Sequence, residues 1–329
     1  MTLSVGHWSR WRCVITVGDI GEFGLIERVT ARLPAGPATL LGPGDDAAVL
    51  RAGDGRMVAS TDLLVDARHF RRDWCTATDV GHKAAAQNLA DISAMGAVTT
   101  ALLLGLACPA DLPVEWVDGM VDGLREECSL LGAGVAGGDV SRSDVLVLAI
   151  TALGDLCGRE PVTRSGARPG DVVAYAGRLG WAAGGLAVLG RGFRSPVSVV
   201  NAYRRPEPPY QQGPVAAEHG ATSMVDVSDG LVADLGHVAD ASGVRIDLDP
   251  AAFVLPDRLR DVGQALGLDP LDWILTGGED HALVATFPAD LGVPEGWRVV
   301  GRVTAGSGVL VDGREYAGPG GYSHFAGSP

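Results

Sequence analysis

The chain has 329 residues, 47% of them hydrophobic and 20% charged, values of a globular protein long enough for two domains. A formal net charge of −14 argues against a generic role on nucleic acid or an anionic membrane surface. The 26 basic residues include a single lysine, Lys83 in GHKAAA. The phosphate loop G-x-x-x-x-G-K-[ST] is therefore absent, and any phosphate chemistry must lean on metal ions and arginine.

The N-terminus carries Arg10 and Arg12, but CVITV is too short for a secretory apolar core, so residues 1–20 read as a tail. Cys13, Cys75, Cys108, Cys128 and Cys157 are widely spaced and odd in number. They make a poor disulfide framework and fit a reducing, cytoplasmic setting. No apolar run approaches the ~18 residues of a membrane helix.

From Gly21, GEFGLIERVTARL places apolar residues at 25, 26, 29 and 33, a helical spacing. LGPGDDAAVLRAGDGRMVASTDLLVD, residues 41–66, reads as a β-hairpin with Asp54-Gly55 as its tight turn. That turn sets Ala47 opposite Asp62 and Asp46 opposite Leu63; a one-residue slip sets Asp46 opposite Asp62. Either register gathers Asp45, Asp46, Ser60, Thr61 and Asp62 into one patch. Like charges there repel unless a cation lies between them, and hard oxygen ligands suit Mg²⁺. Two solvated acidic loops are the alternative.

TDVGHKAAAQNLADISAMGA predicts a helix capped by Thr78 or Asp79 and closed by Gly96, with Asn88 and Asp91 on one face. A carboxylate in so alanine-rich a helix needs a partner or a metal, or else that face is turned to water. TTALLLGLAC reads as a strand and PVEWVDGMVDGLREECSLLGAG as a helix. VAGGDVSRSD reads as a glycine-rich turn before the buried strand VLVLAITALGDL. In that turn Gly137-Gly138-Asp139 would let backbone N–H groups approach a phosphate beside a metal-holding acid. Gly132, Gly134 and Gly137 satisfy G-x-G-x-x-G, but the motif follows a helix and enters a strand, the reverse of a dinucleotide site.

GREPVTRSGARPGD, residues 158–171, is the domain boundary, with Arg164 and Arg168 as its cations. DVVAYAG is a strand, GWAAGGLAVLGRG a helix and NAYRRPEPPY a proline-rich connection. MVDVS predicts a strand ending near Asp226, and GLVADLGHVAD a helix with Ser228 and Asp229 at its N-terminus. Capping explains Asp229 but not Asp226, which stands in a strand that should be apolar. RIDLDP, a helix at DRLRDVGQALGL, TGGED, the strands HALVATF and WRVVGRV, and GYSHF complete the chain.

Asp45, Asp46, Asp62, Asp91, Asp139, Asp226 and Asp229 thus lie at element ends or in an apolar helix. They suit several Mg²⁺ ions around a polyphosphate, or are unrelated solvated acids. Histidines show no zinc spacing, and no Ser, His or Asp is set beside a base as a covalent nucleophile would be.

In order, GEFGLIERV, GPGDDAAVL, STDLLVDARHF, KAAAQNLADISAMGA, GGD, TRSGARPGD, DVSDGLVADLGH, GGEDHAL and GYSHF resemble the thiamine-monophosphate kinases, from Gly21 to Phe325. The resemblance implies an α/β (α+β) fold of two domains, shared with aminoimidazole ribonucleotide synthetase and selenophosphate synthetase. An N-terminal sheet domain, 21–157, would bind Mg²⁺ and ATP and form a homodimer; a C-terminal aminoimidazole ribonucleotide synthetase-like α/β domain, 158–329, would follow. It also implies ATP-dependent, Mg²⁺-dependent phosphorylation of thiamine monophosphate to thiamine diphosphate. Carried over by position, the metal ligands fall on Asp46, Ser60, Thr61, Asp62, Asp91, Asp139, Asp226 and Asp229. Nucleotide contacts fall on Gly138, Asp139, Arg164 and Ser228, and thiamine contacts on His69, Glu279 and Tyr322. Where the family often carries an aromatic residue for adenine, this chain has Val121. Among rivals, selenophosphate synthetase wants a reactive cysteine in a setting Cys13 lacks, and the hydrogenase-maturation relative ends in a cysteine where this chain ends in AGSP. A metal-stabilised scaffold without ATP turnover is the reading from another class.

Overall fold

The computed structural model describes residues 14–43, 47–316, 318 and 320–322, so Cys13, Asp45, Asp46 and the end of GYSHF lie outside the described residues. The first helix, α1, is Val17–Arg32 and begins inside the segment expected to be tail. Thr16 and Asp19 form a capping box at its start, and Gly21, at φ +68, kinks it where the sequence reading had placed its beginning.

The strands β1 (Thr39–Leu41) and β2 (Val49–Leu50) pair with each other, and β3 (Val58–Val65) pairs elsewhere. The expected 41–66 hairpin is therefore not formed, although Gly55 has the positive φ, +79, of a tight turn. Arg56 ties this turn to Asp54 and, through the Arg159 carbonyl at 2.8 Å, to the segment between the domains. Released from β2, β3 finds a much longer partner in the sixth strand described below.

Helix α2 (Ala77–Ala94) is capped by Thr76, whose hydroxyl accepts from the Asp79 amide while the Asp79 carboxylate accepts from the Thr76 amide. Gly96, at φ +73, closes it. There follow β4 (Val98–Cys108), α3 (Val114–Ser129), β5 (Gly134–Arg142) and β6 (Val147–Asp155). The first main sheet has the order β3-β6-β4-β5, antiparallel except for β4 with β5. All eight β3 residues pair with β6, from Val58 with Gly154 to Val65 with Val147. The expected glycine-rich turn at 137–139 is strand: Gly138 pairs with Leu104 and Asp139 with Gly105. A Cβ on Gly138 would stand 1.9 Å from the Leu104 carbonyl oxygen, so strand packing requires this glycine.

One face of this sheet packs on α2 and α3 through residues such as Leu89, Ile92, Leu102, Leu148 and Ile150. The opposite face carries Ala59, Thr61 and Leu63, the last 56% exposed. Residue pairing across β3, β6, β4 and β5 sets Leu63, Ala149, Gly105 and Asp139 in one row, on that same outer face.

The second unit runs β7 (Asp171–Ala176), α4 (Trp181–Gly190), α5 (Val197–Arg204), α6 (Gln212–His219), β8 (Ser223–Val227), α7 (Leu231–Ser242) and β9 (Arg245–Leu248). It continues with α8 (Asp257–Leu266), α9 (Pro270–Thr276), β10 (Ala282–Pro288), β11 (Arg298–Thr304), β12 (Gly308–Val311) and β13 (Arg314–Glu315). Its sheet has the order β13-β12-β9-β11-β7-β10-β8, which brings β8 and β10 together at one edge. The two units are stitched by α2 and its neighbours. Ser93 donates to the Tyr210 carbonyl at 2.7 Å, Arg204 to the Trp74 carbonyl at 2.6 Å, and Tyr210 to Glu127 at 2.6 Å. Among the described residues, no helix is long and apolar enough to cross a membrane.

Candidate functional site

A cleft of about 830 Å³ lies between the units and is lined by both. Alternation along β3 turns Ser60 and Asp62 toward α2. The Asp62 amide donates to Asn88 Oδ1 at 3.1 Å, and the Ser60 hydroxyl donates to Asp91 Oδ2 at 2.6 Å. Asn88 and Asp91 share the face expected of them, and that face meets the sheet edge and cleft rather than bulk water. From the second unit comes Asp226 on β8, buried and 3.0 Å from His281 Nδ1.

These acids strain one another. Burial raises the Asp62 carboxyl, and the charge of Asp226 adds to the rise while His281 and Gln87 oppose it. Asp91 is pushed up to about 7 by burial and by the charges of Asp226 and Asp62, against the Ser60 hydrogen bond. His281 is held above its ordinary value: burial opposes its charge, but the hydrogen bond and the charge of Asp226 outweigh that. Such a set, all oxygen donors in mutual repulsion, fits a hard divalent cation that keeps part of its water shell. Among the described residues, no three of His, Cys, Asp or Glu are grouped so as to hold a metal ion by themselves.

At the β8–α7 junction the backbone amides of Ser228, Asp229 and Gly230 all donate to Asp234 Oδ2, at 3.1, 3.1 and 3.0 Å. Asp234 therefore ties down the start of α7 from within the helix, and the capping role open to Asp229 is not used. Burial, with the charge of Asp226 next, raises Asp234 to about 7.

The turn between α9 and β10 forms the opposite wall. Glu279 and His281 both have positive φ, +64 and +50. The Glu279 amide donates to the Ser228 carbonyl at 2.9 Å, and the His281 amide to the Val227 carbonyl at 3.2 Å. Asp280 is buried, with Oδ1 accepting from the Ala182 amide at 2.9 Å and Oδ2 without a partner. Burial raises Asp280 from 3.8 to about 7. The folded chain therefore holds a proton here that the unfolded chain releases, and this contribution is lost as pH rises through 7. From pH 6 to pH 8 it lowers the unfolding free energy by about 1.4 kcal/mol. Asp280→Asn should flatten that part of the slope, measured by denaturant unfolding in metal-free buffer at the two pH values; an unchanged slope would contradict it.

Ten of the residues expected from the sequence line this one cleft: Ser60, Asp62, His69, Asp91, Arg164, Asp226, Ser228, Asp229, Glu279 and Tyr322. The Val65 amide donates to His69 Nδ1 at 3.0 Å, and the Tyr322 amide to the Asp229 carbonyl at 2.9 Å. Three others lie away from it. The Thr61 side chain is on the outer sheet face, bonded to the Ile150 carbonyl at 3.0 Å. Asp139 is also on that face, on β5, accepting from Ser141 at 3.0 Å, and Gly138 is packed against β4. Asp46 lies outside the described residues. Val121 is fully buried in the α2–α3 core and offers no face to a base.

The sequence reading missed Lys83, Asp234, Asp280 and His281, all of them buried. It also missed Trp74, Tyr203 and Trp273, which line the cleft. The available signals were Lys83 as the chain's single lysine and the packed polar run GGEDH before an apolar strand.

The family model described as AIR synthase related protein, N-terminal domain, matches residues 44–156, and its C-terminal counterpart matches residues 168–312. A thiamine-monophosphate kinase from Mycobacterium tuberculosis (strain ATCC 25618 / H37Rv) is 50% identical over 312 residues, covering 94% of this chain and 93% of its own length. The crystal structure of thiamine-monophosphate kinase from Stenotrophomonas maltophilia K279a matches with a TM-score of 0.77 at 33% identity, over 88% of this chain and 96% of that one. A structure of AaThiL complexed with AMPPCP and TMP matches with a TM-score of 0.78 at 31% identity, over 94% and 99%.

Proposed function

The chain belongs to the thiamine-monophosphate kinase family, and from that premise we propose that it phosphorylates thiamine monophosphate to thiamine diphosphate with ATP and Mg²⁺. The observation that carries the reading is a cleft lined both by crowded acids and by Glu279, Trp74, Tyr203 and Trp273. The acids suit phosphates accompanied by metal, and Glu279 with the aromatic residues suits a flat cationic ring.

In this reading Asp62, Asp91, Asp226 and Asp229 hold Mg²⁺, Ser60 orients Asp91, and Asp46 belongs to the same set. Bound there, the ions would neutralise charge on the phosphates during transfer. Arg164 and the Ser228 end of β8 receive the nucleotide, and His69 meets the acceptor phosphate. That phosphate is already ionised, so transfer is direct and needs neither a general base nor a phosphoenzyme. Thr61, Gly138 and Asp139 keep their family-derived roles as metal and nucleotide contacts in this proposal, although they lie off the cleft of a single chain.

The outer face of the first sheet, with Leu63 exposed beside Ala59 and Thr61, supports a homodimer closed through the N-terminal domains. We place these domains at 21–157 and 158–329, since the segment between β6 and β7 contains no helix or strand. Unpaired Cys75, Cys108 and Cys128 support a cytoplasmic enzyme, and the net charge of −14 supports one without nucleic-acid or membrane partners; cell fractionation checks the location.

Chromatography after incubation with ATP, Mg²⁺ and thiamine monophosphate should show thiamine diphosphate. Formation of aminoimidazole ribonucleotide from its formylglycinamidine precursor instead would move the chain to the sister activity. Light scattering of the same preparation should give two chain masses; one chain mass at micromolar concentration would remove the dimer.

A further inference from the structure

Lys83 is the chain's single lysine, and only 1% of it is exposed. A buried ammonium is costly unless it is paired and hydrogen-bonded. Its Nζ forms an ion pair with Glu279 Oε2, donates to the Tyr203 carbonyl at 3.2 Å and stands 4.0 Å from the centroid of the Tyr203 ring. Burial alone would lower its pKa, but the Glu279 carboxylate outweighs burial and Lys83 stays cationic.

Glu279 needs such a partner. Its backbone is pinned by the hydrogen bond to Ser228 and by the buried Asp280 next to it. Its side chain, 36% exposed and lining the cleft, has several rotatable bonds, and the ion pair with Lys83 fixes it. With Oε2 held by Lys83, the carboxylate is presented at the cleft lining.

Position on α2 matters as well. Lys83, Gln87 and Asp91 recur every four residues, so they form one stripe along the helix. Gln87 and Asp91 line the cleft, and Lys83, one turn before Gln87, pairs with Glu279 of the same lining. Eight residues of helix separate Lys83 from Asp91 by about 12 Å. One rigid helix therefore carries both the partner of Glu279 and an acid of the crowded set.

We infer that Lys83 is a positioning residue for the acceptor: it holds the Glu279 carboxylate in the orientation that meets the cationic ring of thiamine monophosphate. This rests on the cleft being the site for that acceptor. The alternative is that Lys83 only welds the two units together, which would disturb both substrates alike.

The test compares wild type, Lys83→Met, Glu279→Gln and the double variant, by steady-state kinetics and by calorimetric binding of thiamine monophosphate. Lys83→Met should raise the KM and Kd for thiamine monophosphate about tenfold, the loss of one charge-assisted contact, and leave the KM for ATP within about twofold. Added to Glu279→Gln it should change nothing further, because its effect passes through the Glu279 charge. Equal shifts for both substrates, or effects that multiply in the double variant, overturn the inference. If Lys83→Met does not fold, the double variant, which buries no unpaired charge, is compared with Glu279→Gln: equal acceptor affinity supports the inference and weaker affinity overturns it. Wild-type protein that neither binds nor phosphorylates thiamine monophosphate overturns the cleft reading and this inference together. Wild-type turnover with unaltered Lys83→Met kinetics overturns the inference alone.

Discussion

Asp91→Asn should reduce turnover by about a thousandfold or more while the protein remains folded. Asparagine keeps an oxygen to accept the Ser60 hydroxyl, so the 2.6 Å hydrogen bond has a replacement and α2 is not disturbed. The negative charge is lost. In the metal-free protein that loss is favourable, because Asp91 is raised to about 7 by burial and by its neighbours Asp226 and Asp62. The variant should therefore unfold at a temperature no lower than wild type at pH 8, where wild-type Asp91 is ionised. In the site proposed above, the same loss would remove an oxygen ligand for Mg²⁺. Thermal unfolding and kcat, measured side by side, separate the two effects. Full activity at millimolar Mg²⁺ would take Asp91 out of the metal site.

The acceptor must bring its own phosphate. Thiamine monophosphate should be turned over, and unphosphorylated thiamine should yield no product, a difference of at least about a thousandfold in kcat/KM. Glu279 and the aromatic residues of the cleft, proposed to meet the ring, are the same for both compounds. What thiamine lacks is the anion that, in the proposed site, would reach the crowded acids through Mg²⁺ and meet His69. Without it the reacting oxygen is neither charged nor positioned. The comparison needs only chromatography of parallel incubations. Thiamine consumed at a rate near that of its monophosphate would show that the crowded acids select nothing.

Much of the site was legible because its acids break local rules. Asp226 stands in a strand whose five residues are all buried, and Asp91 in an alanine-rich helix. Such placements need a partner, and each has one. The helix register that puts Asn88 and Asp91 on one face is a property of 3.6-residue periodicity, so it survived folding intact. Asp234 was hidden because an acid in the first turn of a helix is ordinary. Only the fold around the β8–α7 junction shows three amides converging on it.

The α/β class of two domains came from the family resemblance of the motifs; periodicity and breakers by themselves determined the strands β3, β4, β6, β7, β8, β10 and β11, and the sequence around Lys83 the absence of a lysine phosphate loop. These last are local properties, set within a few residues of chain. Strand pairing was decided only by the tertiary structure. Asp54-Gly55 favours a hairpin locally, but β3 gains an eight-residue ladder with β6 that β2, two residues long, cannot offer. Gly137–Asp139, expected as a turn, is part of strand β5, paired with β4. Likewise, Lys83 and Glu279 are 196 positions apart, and no local pattern joins them. Their pairing depends on two units closing over one cleft, where a buried charge must find its counter-charge.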